Sequence, residues 1–183
     1  ELSEVGAGIW LAPNALQVFE HLGGLDAIKA KGNSIDRITL GKADLNPISD
    51  NFQDNIKKQF GFSTIAIHRA ELQKILLNKI PKEKISLAKG FQSFQKLNDD
   101  LIKIKFDDKS EILTDCLIGA DGINSKVRKQ LFPNSKTRFS GQTCWRGVAN
   151  IKLSEEFQNR GMELWGNQIR FGISKIANDH YCY

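Results

Sequence analysis

Residues 116–128, Cys-Leu-Ile-Gly-Ala-Asp-Gly-Ile-Asn-Ser-Lys-Val-Arg, constrain the fold more than any other stretch of the chain. The unbroken apolar run 116–120 is the signature of a strand buried on both faces, as in parallel sheets covered by helices. It ends in two small residues and Asp121-Gly122, with a helix predicted over 123–131. Ligands of α/β sheets bind at the carboxyl ends of strands, where backbones approach closely. Gly119 and Ala120 remove bulk at that edge, and Gly122 permits a turn with positive φ. The following helix is expected to offer free N–H groups and a positive dipole end to a phosphate. Asp121, at the strand tip, is placed to accept hydrogen bonds from a ribose hydroxyl or a cofactor amide. A plainer reading has Asp121 pair with Arg128 and cap the helix. On strand, Asp-Gly and helix alone, the plainer reading leads.

The rest of the chain alternates helical and strand patterns. Residues 5–11 suit a tight loop or short strand. Pro13 opens a helix to about residue 22, with Leu16, Phe19 and Leu22 on one face, and Gly23-Gly24 ends it. A second helix spans 25–31, a strand 35–40, and 42–59 reads as polar loop. The short apolar run 65–67 leads into a helix over 69–79, stopped by Pro81. Segments 85–97, 101–106 and 111–113 form a meander with Asn-Asp-Asp and Asp-Asp-Lys turns. Segments 137–151, 162–165, 169–174 and 180–183 are expected to be antiparallel strands. A buried parallel strand, helices and meanders together predict an α/β part joined to an α+β part.

Composition narrows the function classes. Of 183 residues, 40% are hydrophobic and 26% charged, which is ordinary for a folded domain. No run approaches the ~20 apolar residues of a membrane span. The net charge of +5 is concentrated late: residues 121–183 hold ten Lys and Arg against five Asp and Glu. That surplus either steers an anionic ligand or forms a solvated surface. The lysines are scattered and not interleaved with aromatics, so nucleic acid is not expected as a partner. Cys116, Cys144 and Cys182 lack a C-x-x-C pair and read as reduced core residues of a cytoplasmic protein. His21, His68 and His180 are isolated, so no metal site is expected. No Ser/His/Asp or Cys/His set is visible, so no catalytic side-chain nucleophile is expected.

With its flanks, Gly-Ala-Asp-Gly-Ile-Asn-Ser-Lys-Val-Arg (119–128) is similar to the "DG" fingerprint of the FAD-dependent aromatic-ring hydroxylases, the p-hydroxybenzoate hydroxylase-like flavoprotein monooxygenases. Three further segments resemble that family in its order. Val5-Gly6-Ala7-Gly8-Ile9-Trp10-Leu11-Ala12-Pro13-Asn14 is similar to the loop and helix after its second strand. The Gly-x-Gly there is no dinucleotide fingerprint, because Leu11 stands where the third Gly belongs. Ile67-His68-Arg69-Ala70-Glu71-Leu72 is the second. A cation at a helix N-terminus is disfavoured by roughly 0.3–1 kcal/mol, so Arg69 calls for an anion: Glu71 or a ligand. Phe139 to Val148, with Trp165-Gly166 and Arg170-Phe171-Gly172-Ile173, resembles the crossing into the substrate domain.

The resemblance implies an incomplete FAD-binding domain of glutathione-reductase-like fold (1–45 and 61–138, with 46–60 an uncertain loop). It is joined to the start of an antiparallel-sheet substrate domain (139–183). It implies that Gly8 and Ile9 border the flavin's pyrimidine edge, that Arg69 holds FAD phosphate or ribitol, and that Asp121 and Gly122 contact FAD and the nicotinamide nucleotide. Arg146 and Arg160 fall on the substrate side. FAD as cofactor, NAD(P)H as co-substrate and O2 would then hydroxylate an aromatic or alkene molecule through a flavin hydroperoxide. The family's Gly-x-Gly-x-x-Gly turn is expected before Glu1 and its Gly-Asp segment beyond Tyr183, making this a middle portion, inactive alone. Two alternatives are a reductase or halogenase of the same fold and a non-catalytic nucleotide-binding module.

Overall fold

The computed structural model describes residues 7–177 and 180–182, with the backbone alone at Cys182. Val5 and Gly6, which open the first resembled segment, and Tyr183 lie outside the described residues. The chain divides into two compact units: residues 83–143, and the described residues up to Lys82 together with those from Cys144 on.

In the larger unit, strand β1 (Gly8–Leu11) leads into helix α1 (Pro13–His21). Ala12 is extended, and Pro13 takes the first helical position, where its missing N–H has no intrahelical partner to lose. Gly23, at φ +65°, turns the chain out of the helix, and α2 (Leu25–Lys31) follows. Strands β2 (Asn33–Ile35), β3 (Arg37–Lys42) and β4 (Pro47–Phe52) come next. Helix α3 (Asp54–Phe60), strand β5 (Thr64–His68) and helix α4 (Arg69–Leu77) complete this stretch. One sheet has the order β1-β5-β2, antiparallel throughout. At its centre Thr64, Ile65, Ala66 and Ile67 are all buried, which is why the sequence there reads as a run and not an alternation. Leu11, Leu16, Leu25, Ile28, Ile67 and Ile75 pack into one core between this sheet and α1, α2 and α4.

A second sheet in this unit draws on both ends of the chain. It adds β9 (Val148–Asn150), β10 (Arg160–Trp165), β11 (Arg170–Ala177) and β12 (His180–Cys182) in the order β4-β3-β10-β11-β12-β9. Strand β10 is antiparallel to β11 but parallel to β3, pairing Arg160 with Arg37 and Trp165 with Lys42. The expected purely antiparallel sheet is therefore a mixed one. Ile35, Ala66 and Ile176 form a second buried cluster that joins the two sheets.

The smaller unit is the expected meander, β6 (Phe91–Asn98), β7 (Leu101–Phe106) and β8 (Glu111–Thr114), with helix α5 (Lys126–Leu131). Gln130 of α5 bonds the backbone of β6, accepting from Phe94 N–H at 3.0 Å and donating to Phe94 C=O.

Four expectations are corrected. The polar stretch 42–59 is not loop: it holds β4 and most of α3. Residues 116–120 form no strand, and Ile118 is 84% exposed. An apolar run becomes a buried strand only when neighbouring strands bond its backbone, and among the described residues none pairs with it. Of 137–151 only β9 is extended into a sheet. Cys116 and Cys144 are exposed, not core residues. Among the described residues no helix is long and apolar enough to cross a membrane.

Candidate functional site

In the larger unit, folding brings together two segments about 60 positions apart in sequence. Gly8 pairs with His68 and Ile9 with Ile67 across the antiparallel β1–β5 ladder. The Arg69 N–H donates to Ala7 C=O at 3.2 Å, so the first residue of α4 is tied to the residue before β1. His68 caps the helix: its Nδ1 accepts from Ala70 N–H at 3.2 Å. Histidine is not among the favoured capping residues, so sequence reasoning gave no warning of this role.

These ties leave the Arg69 side chain exposed at the positive end of α4. Glu71 was the alternative counter-ion, but its Oε1 lies 3.0 Å from Lys74 Nζ, one turn on. Among the described residues no carboxylate forms an ion pair with Arg69. A guanidinium disfavoured by the helix dipole and without a local partner is the donor set a phosphate needs. Gly8 and Ile9, beside it, are half-buried. The residues of this corner therefore fit FAD.

In the smaller unit, Gly122 adopts φ +79°, the turn expected of it. A Cβ on Gly119 would lie 2.9 Å from Val127, which accounts for the small residue there. The expectation of free N–H groups on α5 is overturned. Asp121 Oδ2 accepts from Lys126 N–H at 2.7 Å and Val127 N–H at 3.3 Å, and Ser125 Oγ from Arg128 N–H at 2.9 Å. Asp121 thus caps the helix, as the plainer reading held, but Arg128 turns instead to Ile123 C=O. The Ser125 hydroxyl, and then the backbone N–H groups, hold the exposed Asp121 carboxyl below its ordinary pKa.

Of the two arginines expected on the substrate side, Arg146 is exposed. Arg160, on β10, has a side chain only 11% exposed and already engaged. Its Nε donates to Thr39 Oγ1 at 2.7 Å, with Asp50 at 4.0 Å and Glu156 at 3.8 Å. Asp50 in turn takes a two-point contact from Arg37, at 2.6 and 3.0 Å, and a bond from Thr39. The Arg37 and Thr39 bonds lower the Asp50 pKa to about 2. A depressed carboxyl stabilises the fold fully above its unfolded pKa, near ~3.9, and loses that contribution as pH falls towards 2. Unfolding followed from pH 5 to pH 2 is expected to show wild type losing about 1 kcal/mol more than Asp50→Asn. Parallel losses would remove Asp50 from the account. Among the described residues no cluster of His, Cys, Asp or Glu could hold a metal ion.

Comparison with known proteins gives the chain its relatives. No family model matches the chain. Aurachin C monooxygenase/isomerase of Stigmatella aurantiaca is 35% identical over 180 residues, which cover 96% of this chain and 45% of that protein. The 2-heptyl-3-hydroxy-4(1H)-quinolone synthase of Pseudomonas aeruginosa is 30% identical over 189 residues, covering all of this chain and 47% of its own length. In fold, the chain superposes on Klebsiella pneumoniae HpxO complexed with FAD and uric acid with a TM-score of 0.85 at 20% identity. That match covers 99% of this chain and 47% of the other. The chain is a homologue of the FAD-dependent aromatic monooxygenases and spans about half the length of the curated relatives it matches.

Proposed function

We propose that the protein carrying this chain is an FAD-dependent monooxygenase that uses NAD(P)H and O2 to hydroxylate an aromatic or alkene small molecule. The observation that carries the reading is the corner where Gly8 and Ile9 pair with His68 and Ile67, next to Arg69, whose side chain forms no ion pair among the described residues. Bound FAD would supply the electron transfer and oxygen activation, so the chain need provide no nucleophile. Its own tasks are to bind, orient and exclude water. In this reading the Gly8 and Ile9 backbone borders the flavin and Arg69 forks onto its phosphate or ribitol. Asp121 and Gly122 meet FAD and the nicotinamide nucleotide, and Arg146 faces substrate. Arg160, held by Thr39, Asp50 and Glu156, acts on substrate through the placement of β10. The cofactor part comprises 1–45 and 61–138 and the substrate part opens at 139, with β3 shared between them. The cytoplasm, where NAD(P)H is plentiful, is the proposed location.

Purified full-length protein is expected to carry a flavin absorption spectrum and to consume NAD(P)H and O2 faster when substrate is added. Hydroxybenzoates and 4-quinolones are the first compounds to try. A colourless protein that takes up no FAD would sink the reading in favour of a non-catalytic module. Bound flavin with NAD(P)H oxidation but no oxygenated product would assign it to a reductase.

A further inference from the structure

Trp10 lies on β1, one residue after Ile9, yet its indole belongs to the other sheet. Its Nε1–H donates to Ser174 Oγ of β11 at 2.9 Å, and Ser174 is buried at 2% exposure. Its ring lies on Gly161 of β10 so closely that a Cβ there would stand 2.3 Å from Cζ2 and Cη2. No side chain but hydrogen fits beneath the indole. The ring therefore has a seat, Gly161, and a bond, Ser174, on two adjacent strands, while its own backbone pairs with Ala66 of β5. An aromatic ring with two rotatable bonds, packed on one side and bonded at its edge, is a rigid spacer. Nothing in the cofactor chemistry asks for it.

We propose that Trp10 is a positioning residue that fixes the distance between the strand bordering the flavin and the sheet carrying β10 and β11. The inference rests on the proposed function, in which that sheet holds the substrate. Displacements of about 1 Å between reacting groups change rates by up to ~100-fold, so a spacer at this junction controls how often reduced cofactor and oxygen yield product, not peroxide. The role concerns coupling, not binding.

The test is made on the full-length holoenzyme. Trp10→Phe drops the donor together with the Cζ2 and Cη2 atoms that rest on Gly161, and Ser174→Ala drops the acceptor. Each is expected to lower product formed per NAD(P)H oxidised by roughly two- to fivefold, with FAD content unchanged. The double variant should lose less than the two single losses combined, because the changes share the Trp10–Ser174 bond. An independent readout is hydrogen exchange at the Trp10 indole N–H, slow in wild type and faster in Ser174→Ala. Lowered melting temperatures with an unchanged coupling ratio would make Trp10 a structural pin only and overturn the proposal. Additive losses would overturn it too, since the two groups would then act separately. Wild type that shows the slow indole exchange but no substrate-stimulated oxidation would overturn the functional reading itself, and the positioning role with it.

Discussion

Replacing Arg69 by Ala is expected to give a folded protein that holds FAD more than tenfold less tightly. A charge-assisted contact to phosphate is worth on the order of 1.5–3 kcal/mol, and each ~1.4 kcal/mol is a factor of ten in affinity. The fold should not suffer. Arg69 is exposed, the bond to Ala7 uses its backbone N–H, and the cap of α4 belongs to His68. Removing a cation from the positive end of a helix should, if anything, stabilise the apo-protein by roughly 0.3–1 kcal/mol. Affinity and stability thus move in opposite directions, which no simple loss of structure would produce. Arg69→Lys should recover part of the affinity, since an ammonium keeps the charge but not the two-point fork. FAD titration followed by flavin fluorescence, with a thermal melt of each apo-protein, measures both. Unchanged FAD affinity in Arg69→Ala would remove Arg69 from the cofactor site.

What the sequence revealed of the fold follows from where structure is local. Pro13 and the Gly23-Gly24 pair bounded α1, and the meander turns lay where Asn98-Asp99-Asp100 and Asp107-Asp108-Lys109 stand. The positive φ of Gly122 was legible because only the turn, and no distant partner, decides it. Strand β4 was not legible. All of its residues are exposed, so no apolar alternation marks it, and it is extended because β3 bonds it and Asp50 meets Arg37 and Thr39. Helix α3 buries no residue in its span and was hidden for the same reason. The failure at 116–120 is the converse: the apolar signal was strong, but a strand needs bonded neighbours that composition cannot supply. At the site, the β1–β5 pairing that ties Ala7 to Arg69 was not legible, because residues so far apart in sequence show no spacing pattern. The partners of Arg160 were not legible, since Thr39 reaches it through the parallel β10–β3 pairing, Asp50 through the antiparallel strand β4 beyond, and Glu156 from the short turn before β10. Trp10 gave no signal, because its partners Gly161 and Ser174 lie 151 and 164 positions away.

Asp121→Ala should separate two jobs that one carboxylate performs. The first job is visible: Oδ2 holds the Lys126 and Val127 N–H groups, so Ala should fray the first turn of α5 and lower the melting temperature slightly. The second job is proposed, contact with FAD and the nicotinamide nucleotide. In the full-length enzyme Ala is then expected to weaken FAD and slow its anaerobic reduction by NAD(P)H by on the order of ten- to a hundredfold. The oxygen half-reaction of dithionite-reduced enzyme with substrate should be spared. Asp121→Asn divides the jobs, because an amide oxygen still accepts from the helix while the negative charge is gone. The wild-type carboxyl is held below its ordinary pKa by Ser125 and the helix N–H groups, so at neutral pH it is ionised and the Asn change removes a full charge. If Asn melts like wild type but reduces as slowly as Ala, the carboxylate meets a nucleotide directly. If Asn restores reduction completely, Asp121 serves only as the cap of α5, and the nucleotide contacts must be sought on other residues.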